Sequence, residues 1–175
     1  MDLFETHRVI DVDTHITEPA NVWTDRMSSK WGTLIPHIKR VRGFDVWFIG
    51  DTGVLRPGGV SMAGYNGTMP DHPLTYAEIP KATYDAQARI RHMDESGIYA
   101  QVIYPNLISM LTPFFLEHEE PPFILECLKA YNDFLVDWCS ANPNRLIPVM
   151  TLPIWDLDAP IAQAKRCVAS GHKAI

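Results

Sequence analysis

Two side chains near the amino terminus have the chemistry and the spacing of metal ligands. Asp13 and His15 follow a short apolar run at residues 8–10, which predicts a buried strand. Because alternate side chains of a strand point to the same face, the carboxylate and the imidazole lie side by side where the strand ends. Carboxylate oxygens and imidazole nitrogens both bind divalent metals. The pair therefore predicts half of a metal site, at the strand end where parallel α/β proteins build active sites.

The same spacing also has a purely structural interpretation. Asp11 or Asp13 can cap the turn that follows the strand, and backbone groups can then satisfy His15. An acidic residue, one intervening residue and a histidine also occur together by chance. The spacing alone leaves both interpretations open.

The composition argues against several classes of function. The 175 residues are 46% hydrophobic and 21% charged, which is typical of a folded domain with a real core. The net charge of −6 comes without a basic run, so neither nucleic acid nor an anionic membrane is expected as the main partner. We find no transmembrane stretch and no secretory signal. Three cysteines without a CxxC pair predict small core residues in a reducing, cytoplasmic compartment.

An irregular region at about residues 20–80 is rich in glycine, proline and aromatic residues. Within it, apolar residues at 44–49 and 54–56 flank a Gly-Asp-Thr-Gly sequence, which predicts a β-hairpin with a tight turn. Residues 57–76 predict a long loop, and loops of that length inside a domain are usually functional or mobile. We interpret this loop as a candidate lid over a substrate site.

The remainder of the chain alternates between helical and extended patterns. The predicted helices open at residues 83–85 and near residues 121 and 158, and they end at residues 96, about 141 and 170. The predicted strands lie at residues 98–104, 146–152 and 172–175. This alternation is typical of parallel βαβ units with right-handed crossovers, so the predicted fold class is parallel α/β.

Three segments in register give the chain a specific resemblance. They are VIDVDTHITEP at residues 9–19, RHMDESGIYAQVIYP at residues 91–105, and a segment at residues 132–153 with the core WCSANPNRLIP. Together they resemble the N-terminal part of amidohydrolase-related proteins, in the branch that includes aminocarboxymuconate-semialdehyde decarboxylase and resorcylate decarboxylase. The resemblance implies an α/β fold: the N-terminal portion of a (β/α)8 TIM-like barrel with an inserted hairpin and lid-like loop. Residues 1–175 would form one partial barrel domain.

The resemblance also implies a metal centre. In that family two ligands leave the end of the first strand, as His-x-His or as an acidic residue, x and His, and the matching positions here are Asp13 and His15. One divalent metal ion is implied, Zn or Mn, and the carboxylate favours Mn or Mg relative to a histidine-rich zinc site. The other ligands and the catalytic acid and base of the family lie further along, so no residue of this chain is assigned to those roles.

Two further residues are candidate substrate contacts. Glu18 matches the family motif and can act near the metal, with a structural loop contact as the alternative. Asn106 follows the second predicted barrel strand, at the edge where active sites lie.

These features predict a metal-dependent hydrolase or carboxy-lyase. The preferred reaction is non-oxidative decarboxylation of a small aromatic or unsaturated carboxylic acid, and the alternative is hydrolysis of an amide, ester or lactone. A different hypothesis is a catalytically incomplete barrel half that acts as a structural or interaction module, and the missing downstream ligands favour it. A complete barrel of this kind needs about 250 residues. A half-barrel would expose open sheet edges, so we expect a homo-oligomer or association with the missing half.

Overall fold

The structure is a computed structural model that describes residues 7–60, 62–68, 71–111, 114–115, 120–153 and 158–175. Its named elements alternate in type along the second half of the chain. The strands are β1 (Val9–His15), β2 (His37–Val41), β3 (Phe44–Ile49), β4 (Thr52–Leu55), β5 (Ile98–Tyr104) and β6 (Leu146–Pro148). The helices are α1 (Ala86–Glu95), α2 (Leu107–Met110), α3 (Pro121–Cys139) and α4 (Asp158–Ser170).

A parallel sheet forms the centre of the structure. Its strand order is β1-β5-β6, with His15 opposite Tyr104 at the carboxyl ends of β1 and β5. Parallel neighbours require crossover connections, and α1 and α3 lie in the two crossovers. A parallel bridge between Val149 and Ala174 marks the start of a further strand. The predicted parallel α/β class is confirmed. The described strands form an open sheet, and the closed barrel stays a prediction.

The third strand of this sheet is shorter than the sequence predicts. β6 ends at Pro148 instead of continuing to residue 152. The side-chain amide of Asn132, on α3, accepts from Thr151 N at 2.9 Å and donates to Thr151 O at 2.9 Å. Because these backbone groups bond to a side chain, the strand pairing stops before them.

A separate antiparallel sheet in the order β2-β3-β4 forms part of the irregular region. The predicted hairpin is confirmed as β3 and β4, with its turn at Gly50 and Asp51. β2 was not predicted. It joins β3 through Arg42 and Gly43, whose φ angles of 50° and 89° are those of a two-residue hairpin turn. An arginine at positive φ is a weak local signal, and this explains why the strand was missed.

Three helices, α1, α3 and α4, begin and end within about three residues of the predicted bounds, and α2 was not predicted. The Asp85 carboxylate accepts a 2.7 Å hydrogen bond from Ala88 N at the start of α1, and Gly97 follows the helix at a φ of 68°. Thr83 belongs to a preceding 3₁₀ turn rather than to the helix. α3 begins with two prolines, which fit the first helical turn, and ends at Cys139, two residues earlier than predicted.

An aromatic cluster joins the irregular region to the core. Trp23 and Trp47 meet edge to face with ring centroids 5.1 Å apart, and Trp23 also stacks on Tyr131 of α3 at 6.5 Å. Trp23 Nε1 donates a 3.1 Å hydrogen bond to the Cys127 carbonyl. All three rings are buried. The second sheet is therefore connected to α3 through Trp23.

The described parts of the predicted lid are anchored to this second sheet. Asp45 N donates to the Leu74 carbonyl at 2.8 Å, and the Asp45 carboxylate accepts from Tyr76 N at 2.7 Å. Gly58 lies so close to Pro73 that an added Cβ would sit 2.0 Å from the Pro73 carbonyl oxygen. Residues 61, 69 and 70 lie outside the described residues. A lid function stays a prediction.

Two predictions about the chain as a whole concern cysteines and membranes. Cys127, Cys139 and Cys167 are buried free thiols, as expected from their positions in helices. Within the described ranges, no helix combines the length and the apolar character needed to cross a bilayer.

Candidate metal and substrate site

The predicted ligand pair lies together at the carboxyl end of β1. His15 Nε2 is 3.8 Å from Asp13 Oδ1, and the two side chains are 40% and 84% exposed. Two ligand atoms at about 2.1 Å from one ion lie no more than about 4.2 Å apart, so this separation fits joint coordination. The spacing of Asp13 and His15 is therefore compatible with two ligands of one metal ion.

The His15 ring is oriented by a backbone carbonyl from the neighbouring strand end. His15 Nδ1 lies 2.9 Å from the Pro105 carbonyl oxygen, just after β5. Because a carbonyl oxygen only accepts, Nδ1 carries the proton in this contact. In the neutral ring the lone pair is then on Nε2, the nitrogen that faces Asp13. Metal-binding histidines are held in this way by a hydrogen bond from their other nitrogen.

A buried arginine holds the backbone at the same strand end. Arg89 on α1 is 0% exposed, and its Nη2 donates a 2.9 Å hydrogen bond to the His15 carbonyl. Its Nη1 donates to Gln101 Oε1 at 3.1 Å, and Gln101 Nε2 donates to Asp11 Oδ2 at 3.0 Å. Burial lowers the pKa of Arg89 to about 10, while the Asp11 carboxylate opposes that shift. Arg89 thus links α1, β5 and β1.

Sequence analysis did not identify Arg89, although one signal was present. Arg89 lies three residues after Ala86 and four before Met93, so it falls within the inward-facing stripe of α1. An arginine at such a position is buried only if its donors are satisfied. Asp13 N donates to Asp11 Oδ1 at 3.2 Å within β1, and the alternative of a turn cap after the strand stays a prediction.

The two predicted substrate contacts lie against each other. Glu18 is 2% exposed, and its Oε1 accepts from Asn106 N at 3.2 Å and from Leu107 N at 2.7 Å. Burial raises the pKa of Glu18 to about 7, even though these backbone N–H groups act in the opposite direction. The loop contact that was the alternative for Glu18 is therefore present. Its role toward substrate stays a prediction.

Two unpartnered polar groups lie in the same region. Asn106 is buried, and no described residue accepts a hydrogen bond from its Nδ2. The Tyr131 hydroxyl is likewise buried without a partner among the described residues. Burial raises the pKa of Tyr131 well above its ordinary value, and the Glu18 charge adds to that shift. A buried donor such as Asn106 Nδ2 is a natural contact for a ligand oxygen.

The loop after β1 is tied to two other segments. The Tyr76 hydroxyl donates a 2.6 Å hydrogen bond to the Glu18 carbonyl, and Thr17 N donates to the Thr83 carbonyl at 2.9 Å. Because Tyr76 N also donates to the Asp45 carboxylate, Tyr76 links the second sheet to the loop that carries Glu18. Sequence reasoning assigned Tyr76 no role.

The described part of the chain does not complete a metal-binding cluster around the pair. Among the residues searched there, no group of three or more histidine, cysteine, aspartate or glutamate side chains is placed to hold an ion. His37 and His172 each have Nδ1 within hydrogen-bonding distance of a backbone carbonyl far from the pair, at 2.7 Å and 3.2 Å. His118 lies outside the described residues.

No protein-family model matches the chain, but its fold is similar to that of solved structures. The amidohydrolase map2389c from Mycobacterium avium subsp. paratuberculosis K-10 matches 95% of this chain at 18% identity, with a TM-score of 0.67. IDCase from Metarhizium anisopliae, in its apo form, matches 95% of this chain at 18% identity, with a TM-score of 0.53. The chain spans 48% of the first structure and 40% of the second, somewhat under half their length. At this level of identity, the likeness establishes a shared fold.

Proposed function

We propose that Asp13 and His15 supply two ligands of one divalent metal ion, Zn or Mn, in an enzyme of the amidohydrolase superfamily. The observation that carries this proposal is the 3.8 Å separation of Nε2 and Oδ1 at the carboxyl edge of a parallel sheet. The anchoring of Nδ1 by Pro105 supports it, because the same contact leaves the lone pair on Nε2. The likeness in fold to an amidohydrolase is the second support.

The residues around the pair have separate roles in this proposal. When bound, the metal supplies a Lewis acid that polarises a substrate oxygen. Pro105 orients the His15 ring, and Arg89 holds the strand end that carries it. Asn106 offers a buried donor to a substrate oxygen, and Glu18 lines the same region.

The reaction proposed is non-oxidative decarboxylation of a small aromatic or unsaturated carboxylic acid. Hydrolysis of an amide, ester or lactone is the second candidate, and the amidohydrolase among the similar structures favours it. Product analysis separates the two reactions. Decarboxylation releases CO₂, whereas hydrolysis in ¹⁸O-labelled water places the label in a new carboxylate.

Metal content tests the site directly. The wild-type protein, purified without added metal or chelator, is expected to hold about one ion per active site by elemental analysis. Asp13→Ala and His15→Ala should each lose most of it, because each removes a ligand. His37→Ala is the matched control, since His37 also has Nδ1 against a backbone carbonyl but lies on the second sheet.

Either of two results would count against the metal site. One is a wild-type protein that takes up no Zn or Mn after reconstitution. The other is undiminished binding in both variants. If the wild-type chain holds no metal and Asp13→Ala is as stable as the wild type, the structural or interaction module is favoured.

We also propose that the chain associates with a second barrel half or with another copy of itself. Large apolar side chains are exposed on β1, on α4 and at the last residue. They are Ile10, Val12, Ile161, Val168 and Ile175. β1 is also an edge strand of the parallel sheet. Exposed apolar side chains at an open sheet edge are typical of surfaces that another segment covers.

A further inference from the structure

Glu18 and His15 contact the same peptide group from opposite sides. The Pro105 carbonyl accepts from His15 Nδ1 at 2.9 Å, and the N–H of Asn106 donates to Glu18 Oε1 at 3.2 Å. That carbonyl and that N–H belong to one planar unit, because the peptide bond joins Pro105 C to Asn106 N. In a trans peptide the two groups point in opposite directions. The peptide therefore forms a rigid bridge from the Glu18 carboxylate to the His15 ring.

Through this bridge, Glu18 fixes the direction in which the Pro105 carbonyl points. Rotation of the peptide plane would break the bond to Glu18 and withdraw the oxygen from His15. A second bond, from Leu107 N to Glu18 Oε1 at 2.7 Å, restrains the following residue in the same way. A carboxylate on the N–H also polarises the peptide, which strengthens its carbonyl as an acceptor.

The Glu18 side chain is itself held in place. It is 2% exposed, and its own carbonyl accepts from the Tyr76 hydroxyl at 2.6 Å. Backbone N–H groups are the partners found for the carboxylate, and they compensate for its removal from water. A buried acid with this geometry orients the backbone groups that it accepts from.

We propose that Glu18 is a positioning residue that, through the Pro105–Asn106 peptide, holds His15 in the tautomer with the proton on Nδ1. Its consequence for metal binding rests on the proposed function, because only then does Nε2 serve as a ligand. The tautomer itself exists without metal and can be measured without it.

The test is the tautomer of His15 in the metal-free full chain, measured from the ¹⁵N chemical shifts of its ring. The wild-type protein is expected to show the Nδ1–H form of the neutral ring. Glu18→Asp withdraws the carboxylate by one methylene, and Glu18→Ala removes it, so both should shift His15 toward a mixture of tautomers. Glu18→Gln keeps an acceptor oxygen and should retain the wild-type spectrum.

The control removes another glutamate whose carboxylate accepts from a backbone N–H. Glu126, on α3, accepts from Ser28 N at 2.5 Å and from Trp31 Nε1 at 2.8 Å, and it also pairs with Lys30. Glu126→Ala should leave the His15 spectrum unchanged. If Glu18→Ala does not fold, Glu18→Asp carries the test, because it keeps the charge and most of the side-chain volume.

Metal affinity is the second readout. Loss of a partner that orients a metal-binding histidine weakens binding by about 10- to 100-fold, and this is the loss expected for Glu18→Asp. An unchanged tautomer in Glu18→Asp and Glu18→Ala overturns the positioning role, whether or not metal binds. If the tautomer shifts in Glu18→Asp and Glu18→Ala while the wild-type chain binds no metal, the proposed function is overturned and the positioning role stands.

Discussion

At the scale of single residues, His15 is held by groups that are far away in the sequence. Pro105 orients the ring, and Arg89 binds the backbone carbonyl. Strand alternation predicts the contact of His15 with Asp13, two residues away, but not those with Pro105 and Arg89. The chemistry of this histidine therefore depends on whether the whole site is folded.

The buried Glu18 carboxyl predicts a specific dependence of stability on pH. Its pKa of about 7 lies above the ordinary value of 4.5, so the folded chain retains a proton that the unfolded chain releases. The resulting stabilisation is complete below about pH 4.5 and is lost as the pH rises to about 7. A shift of this size corresponds to roughly 3 kcal/mol in the free energy of unfolding.

Glu18→Gln isolates this contribution because glutamine does not titrate. Urea unfolding at pH 5 and pH 7.5 is the measurement. The wild-type chain should lose more stability between these pH values than the variant does. Equal losses in the two proteins would show that Glu18 ionises in the folded chain as it does in the unfolded one.

At the scale of elements, α1 secures the end of β1. The pairing of β1 with β5 is irregular between Val9 and Ile10 and again between Asp11 and Thr14. Such irregularities redirect side chains and are common beside active sites. Arg89 bonds to Thr14 Oγ1 at 3.3 Å and to the His15 carbonyl at 2.9 Å, directly after the second irregularity. It therefore supports the part of the strand where regular pairing is weakest.

Replacing Arg89 by leucine should destabilise the protein strongly. The change leaves the carbonyls of Ala82 and His15 and the side chain of Gln101 without their donor. Unsatisfied buried groups of this kind cost about 1–3 kcal/mol each, so we expect a loss of about 3 kcal/mol or more in urea unfolding.

Arg91 on the same helix is the control for this prediction. It is exposed, so Arg91→Leu should change the stability by no more than about 0.5 kcal/mol. A loss of similar size in the two variants would mean that the Arg89 contacts contribute little to stability.

At the scale of the whole molecule, the parallel sheet has an open edge with apolar side chains beside it. Val12 on β1 is 64% exposed and Ile10 on the same strand is 52% exposed. The second sheet packs elsewhere, on Trp23 through Trp47. The β1 edge is therefore the surface on which the association proposal can be tested.

Sedimentation velocity measures this association. The wild-type chain is expected to sediment as more than one chain. Val12→Lys should shift it toward the monomer, because a charge on the apolar edge disfavours contact. Val41→Lys, on β2 in the other sheet, is the control and should leave the distribution unchanged. A wild-type chain that is monomeric at all concentrations would contradict self-association and leave a second barrel half as the proposed partner.

The sequence by itself determined the features that depend on neighbours along the chain. Asp85 and Gly97 mark the ends of α1, residues 98–104 form the predicted strand, and the turn at Gly50 joins the predicted hairpin. Alternation along β1 also predicted that Asp13 and His15 share a face. These features were accessible because capping, turn geometry and strand alternation involve residues only a few positions apart.

Only the tertiary structure decided which distant groups meet. Asn132 binds the backbone of Thr151, beyond the end of β6, and the buried Arg89 binds the His15 carbonyl. Glu18 binds the peptide that orients the His15 ring. The partners in these contacts lie 19, 74 and 88 residues apart in the sequence. Local pattern cannot specify such pairs, because the cost of burying each polar group is offset only by donors and acceptors that the completed fold brings together.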